Sequence, residues 1–245
     1  MDREKLYDYL LGLMEHTVHR LESSIAPPKP VACASMGYAY RYAEEGMTQA
    51  IIQKLARLVS LSRASRVLHA HGLALEQAAI ARLIVESQED VFFLAFGILQ
   101  GITVVHKKYL YAFYFADGED ELRTYTERKG RPLISRKDVL DYLAETISPN
   151  AIKAATTTTR QIASNGMQET SPFIMEMYGG DPPEFQMNGL LAFQPLRRLY
   201  DDLWDYFERV IVSFIVAARA FGDNDLADGI ASVSQYFERV RPGPW

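Results

Sequence analysis

Eight ionisable side chains crowd a stretch otherwise built for burial. Arg63, Arg66, His69, His71, Arg82, Glu86, Glu89 and Asp90 fall within residues 60–98. Charged groups leave a protein core unless they are paired, so a row of them implies an ion-pair network, a site, or both. Guanidinium groups fork onto carboxylates and phosphates alike. Histidine takes or gives a proton near neutral pH. Two readings follow. One is a structural network that locks helix register. The other is an anion or ligand site lined by Arg63, Arg66, Arg82 and Glu86, with His69 beside it. Arg82 and Glu86 stand four apart and so share a helix face. Arg63 and Arg66 lie on the preceding helix, near the turn that joins the two.

The elements carrying these residues read as helices punctuated by Gly and Pro. A first helix spans about residues 2–24, with Leu6, Leu10, Leu13, Thr17 and Leu21 as its apolar stripe. Pro27, Pro28 and Pro30 end it as a stiff connector. Tyr38, Tyr40 and Tyr42 lead into a second helix that runs to His71, and Gly72 stands at the expected left-handed cap. A third helix covers about 73–99 and a strongly aromatic fourth runs through His106 to Ala116. The uncharged run Val91–Val105 is shorter than the roughly 20 residues a membrane span needs and holds Gly97 and Gly101. It reads as the end of one buried helix, a Gly-marked break and the start of the next.

Residues 117–137 form a polar connection that ends basic, at Arg136 and Lys137. Ser135 caps a short helix through Ile147, and Ser148-Pro149 opens another that carries threonines 156–159. Residues 165–189 are a long break, with a helical turn at 173–178. Apolar residues then recur by threes and fours over 195–221, and a final helix starts near Asp223. No strand pattern competes. The expectation is an all-α bundle of about seven helices with a long C-terminal helix, in one domain over 1–245, with helix 1–26 peripheral. The 195–221 helix is expected to run antiparallel to helices two and three. Its apolar surface suggests a homodimer as well.

Composition narrows the function classes. Nearly half of the 245 residues are apolar, so the chain can bury a sizeable core. A net charge of −5 argues against a wholesale nucleic-acid coat but permits a local basic patch. Cys33 is the only cysteine, which excludes an internal disulfide framework and a cysteine metal cluster. The N-terminus lacks an apolar signal core, so a cytoplasmic protein without a membrane partner is expected. His16 and His19 are one turn apart but lack a third metal ligand. No phosphate-cradling glycine loop, nucleophile elbow or di-iron spacing occurs, so no metal or cofactor is expected.

Arg66 precedes His71 with four residues between, and Arg63 precedes His69 with five. This resembles the Arg–(four to six residues)–His element of the HEPN superfamily of helical ribonucleases and nucleotide-binding proteins. The resemblance implies metal-free attack on RNA, with Arg66 and His71 as the catalytic pair. The histidine would move the 2′-hydroxyl or leaving-group proton, and the arginine would hold the growing phosphorane charge. The layout around residues 50–95 also resembles an uncharacterised all-helical prokaryotic family. That family has an Arg-rich helix end, a small turn, then Arg82-x-x-x-Glu86 and an aromatic tail, here Phe92 and Phe93. Its later histidine-containing stretch near a Tyr-Gly pair corresponds to Ser164–Gly180, where this chain has Gln168 instead. The expected function is therefore nucleotide or RNA binding, extending to HEPN-like ribonuclease activity. The alternative is a non-enzymatic helical interaction or scaffold module whose charged row only sets packing.

Overall fold

The computed structural model describes residues 3–33, 37–115, 134–147, 174–175, 177–189 and 197–241. Among them are seven helices and two short antiparallel strand pairs: an all-α bundle. The helix predicted from Ser148, most of the 117–137 connection and Gln168 lie outside the described residues.

Helix α1 (Arg3–Glu22) buries Leu6, Leu10, Met14, Val18 and Leu21 at the spacing of one helical face. These residues join the common core, so α1 is integral to the bundle and not peripheral. A hairpin of β1 (Lys29–Cys33) and β2 (Gly37–Arg41) follows, turning at Gly37 with φ of 76°. The sequence reading expected an irregular stretch here. The hairpin escapes detection because neither face is buried, so no apolar–polar alternation marks it. Helix α2 (Met47–Ala70) consequently starts later than the tyrosines suggest.

Helix α3 (Ala74–Gln100) and helix α4 (Val104–Tyr114) are separated by Gly101, whose φ of 117° breaks the helix where the sequence placed the break. Helix α5 (Arg136–Thr146) opens on the predicted Ser135 cap, a reciprocal capping box with Asp138. Residues 174–175 are helical within the predicted turn, and a two-residue pair that the sequence reading did not expect, β3 (Tyr178–Gly179) and β4 (Glu184–Phe185), follows. Helix α6 (Arg197–Ala220) has 24 residues, but the chain continues into the 16-residue helix α7 (Asn224–Arg239). The long helix is thus followed by the final helix expected near Asp223, which caps it by accepting from the Leu226 N–H.

The directions of the helices follow from their contacts. Arg63 meets Glu15 while Arg66 meets Glu4 and Asp8, so α1 and α2 run antiparallel. Gly97 approaches Met47, which makes α3 antiparallel to α2. Arg20, late in α1, holds Asp223 just past the end of α6. Helix α6 therefore runs antiparallel to α2 but parallel to α3, where antiparallel packing against both was expected. The long connection between α4 and α6 removes the constraint that short turns impose. Leu203, Phe207, Val210, Phe214 and Ala217 of α6 are all buried in the core, with Trp204 stacked on Phe237 at 3.7 Å. The stripe that suggested a dimer is thus consumed within the chain.

Candidate functional site

The charged row divides into three. The first part lies in a groove of 420 Å³ between α1 and α2, lined by Glu4, Asp8, Glu15, Arg63, Arg66 and His71. Arg63 pairs with Glu15. Arg66 donates from Nη1 to Asp8 at 2.5 Å and from Nη2 to Glu4 at 2.7 Å, and its guanidinium lies 5.8 Å from the Tyr7 ring centre. Burial works against the charged guanidinium, but the two carboxylates outweigh it and hold its pKa up. His71 is the cap residue after α2, and its Nδ1 lies 2.8 Å from the Val67 carbonyl. That carbonyl only accepts, so Nδ1 carries the proton and Nε2 is left as the ring's acceptor. His69 is half-buried, and desolvation lowers its pKa against the opposing pull of Glu4. The structure therefore brings Arg63, Arg66 and His71 to one groove.

Arg82 and Glu86 form the second part, on a different helix. They pair with each other along α3, with Arg82 Nε 2.9 Å from Glu86 Oε1. Their side chains are 47% and 39% exposed, so this is a surface pair and not a member of a buried cluster. One site containing Arg66, Arg82 and Glu86 together is not what the fold builds. Antiparallel packing turns the Arg66 face of α2 toward α1, whereas Arg82 faces outward.

The buried charges are Glu89 and Asp90, and they are the third part. Arg136, in the first turn of α5, pairs with both carboxylates and donates to the Glu86 carbonyl at 2.8 Å. Lys54 of α2 reaches Asp90 at 2.7 Å. The Tyr109 hydroxyl of α4 also bonds Asp90, and burial followed by that negative charge pushes its pKa strongly up. Burial again opposes the Arg136 charge, and Asp90 and Glu89 together override it. Among the described residues two carboxylates meet two cations, and the network ties α2, α3, α4 and α5 together.

Sequence reasoning named Glu89 and Asp90 but assigned Arg136 to a solvated connector and passed over Lys54. The available signal was Arg136 at the first position after the Ser135 cap, where a helix begins to pack. His106 was also missed. It is fully buried, stacked 4.0 Å from the Phe93 ring, with Nε2 donating to the Phe93 carbonyl at 2.9 Å. Its Nδ1 accepts from the Thr103 backbone N–H at 3.1 Å, which closes a capping box. The Thr103-x-x-His106 spacing was the readable sign, with histidine in the usual Glu or Gln position.

Among the described residues no group of three His, Cys, Asp or Glu side chains could hold a metal, and no helix is long and apolar enough to cross a membrane. No family model, curated protein or solved structure matches the chain.

Proposed function

We propose that this chain is a non-enzymatic helical interaction module whose charged row sets packing. One observation carries this reading: each row arginine, and Arg136 with them, is engaged by a carboxylate. Arg63 holds Glu15, Arg66 holds Glu4 and Asp8, Arg82 holds Glu86, and Arg136 holds Glu89 and Asp90. A phosphate entering the α1–α2 groove would meet three carboxylates and would have to displace them from two arginines. Like charges there oppose an anion.

A second reading rests on one specific fact. Arg66 and His71, the pair that resembles the HEPN element, line the same groove, and His71 presents Nε2 as an acceptor. That arrangement supports nucleotide or RNA binding with metal-free cleavage. In it His71 would accept the 2′-hydroxyl proton, and Arg66 would leave Asp8 for the phosphate.

Incubation of the full chain with RNA in chelator separates the two. The module reading expects no cleavage, and no rise in melting temperature with nucleotides or RNA. Cleavage that disappears in His71→Ala, or ligand stabilisation that disappears in Arg66→Ala, overturns it in favour of the nuclease or binding reading.

A further inference from the structure

The corner between α3 and α4 exposes side chains that a bundle would normally hide. Leu99, Ile102 and Val104 surround the Gly101 turn, with Ile102 58% and Val104 67% exposed. Helix α4 continues the surface. Val104, Lys107, Lys108 and Tyr111 stand at i, i+3, i+4 and i+7, which is one helical face, and all four are exposed. The opposite face, His106, Tyr109 and Ala112, is buried. Among the described residues no carboxylate forms a salt bridge with Lys107 or Lys108. Hydrogen bonds hold the corner in place, since Thr103 and His106 close the capping box and His106 is bonded to Phe93. Its aliphatic tip is a built feature and not a frayed end.

The β1–β2 hairpin lies at the same end of the bundle. It joins the end of α1 to the start of α2, and Tyr114 of α4 donates to the Gly46 carbonyl there at 2.9 Å. Tyr38 and Tyr40 share one hairpin face and are both exposed, Lys29 pairs in register with Arg41, and the exposed Glu44 and Glu45 precede Gly46, so the basic face at this end is that of α4.

We propose that, against the expectation of no membrane partner, this end of the bundle docks peripherally on an anionic lipid bilayer without spanning it. Leu99, Ile102 and Val104 would enter the interface, with Tyr111 at headgroup level and Lys107 and Lys108 on anionic headgroups. The residue types select this occupant. Aliphatic side chains gain from hydrocarbon and have no counterpart on a nucleic acid, where bases stack on rings. Tyrosine favours the headgroup region, and lysines flanking an apolar helix face are attracted to anionic lipid. The inference deepens the module reading by naming its partner and rests on it.

The test is flotation of the full chain with vesicles of neutral phosphatidylcholine, and of phosphatidylcholine mixed about 2:1 with phosphatidylglycerol. Flotation is expected with the anionic vesicles only, and it should weaken as salt is raised. Ile102→Asp with Val104→Asp should weaken it at least about tenfold. Lys107→Ala and Lys108→Ala should each weaken it about fivefold. Val240→Ser, at the opposite end, should leave it unchanged. If the aspartate pair fails to fold, the lysine variants and the lipid-dependent fluorescence shift of Ile102→Trp carry the test. The proposal is overturned if the folded chain floats with neither vesicle, or if flotation ignores these substitutions. A concentration-dependent dimer that Ile102→Asp dissolves also overturns it, because a second copy then covers the corner. None of these results bears on RNA cleavage, so a failure here leaves the module reading to its own experiment.

Discussion

Arg136 grips Asp90 across 46 positions of sequence, from the first turn of α5 to the middle of α3. Asp90 is buried, and with Glu89 beside it the carboxylate pair would be untenable without that guanidinium. Breaking a buried pair from one side leaves an uncompensated charge, which costs more than the intact pair contributes. Arg136→Ala should therefore lower unfolding free energy by about 3–5 kcal/mol. Urea denaturation checks this. A loss below about 1 kcal/mol would mean that Lys54 alone neutralises the carboxylates.

Arg82→Ala is the contrasting case. Its Glu86 partner lies one turn away on the same helix, and both side chains are well exposed. Water screens such a pair, and measured i, i+4 pairs contribute about 0.3–0.5 kcal/mol. The substitution should lower the unfolding free energy by no more than about 0.5 kcal/mol, read from urea denaturation. If Arg82→Ala proved as costly as Arg136→Ala, the division of the row into surface and buried parts would be wrong.

How much of this was legible beforehand differs by element. Helices α3 and α6 announce themselves through apolar residues at threes and fours, because burial imposes that period on the sequence. Gly72 and Gly101 mark the breaks on either side of α3 because positive φ there excludes most side chains. The β1–β2 hairpin left no trace because an exposed ribbon needs no alternation. The charged row was legible as an anomaly, but its partners were not. A single helix shows which residues share a face, yet which face meets which neighbour is a tertiary fact. Arg66 found Glu4 and Asp8 on α1, more than fifty positions away, and not Glu86. Arg136 looked like one more cation of a basic connector until α5 was seen to dock on α3.

His106 predicts a pH dependence. Burial lowers its pKa below 6.5, with the Phe93 carbonyl opposing the shift. The half-buried His69 is lowered in the same direction. A lowered histidine means that the unfolded chain binds the proton first as pH falls. Stability is thus complete above 6.5 and declines below it, by up to about 1.4 kcal/mol per pH unit for each group, until the folded pKa is reached. Protonating Nδ1 also removes the acceptor for the Thr103 N–H. Unfolding free energies from urea denaturation at about pH 7.5 and downward should show this slope, and His106→Gln should reduce it to the share of His69. An unchanged slope in that variant would place the dependence elsewhere.

Gly97→Ala sets two effects against each other. An alanine in a helix interior gains about 1 kcal/mol over glycine in propensity. The added Cβ would lie 2.6 Å from His106 Cδ2 and Nε2 and 3.0 Å from Met47 Cε. Met47 is flexible and can yield, but His106 cannot. It is held by Phe93 on one nitrogen and Thr103 on the other, and it is wedged between the Phe93 and Tyr142 rings. Relieving the overlap means breaking the capping box or tilting α4, and overpacking of this kind costs about 1–3 kcal/mol. The clash should win, so Gly97→Ala should destabilise the fold by about 1 kcal/mol and Gly97→Val by considerably more. Combining Gly97→Ala with His106→Ala tests the cause. Once the ring is gone the alanine should become neutral or stabilising relative to His106→Ala alone, and a cost that persisted would place the obstruction at Met47.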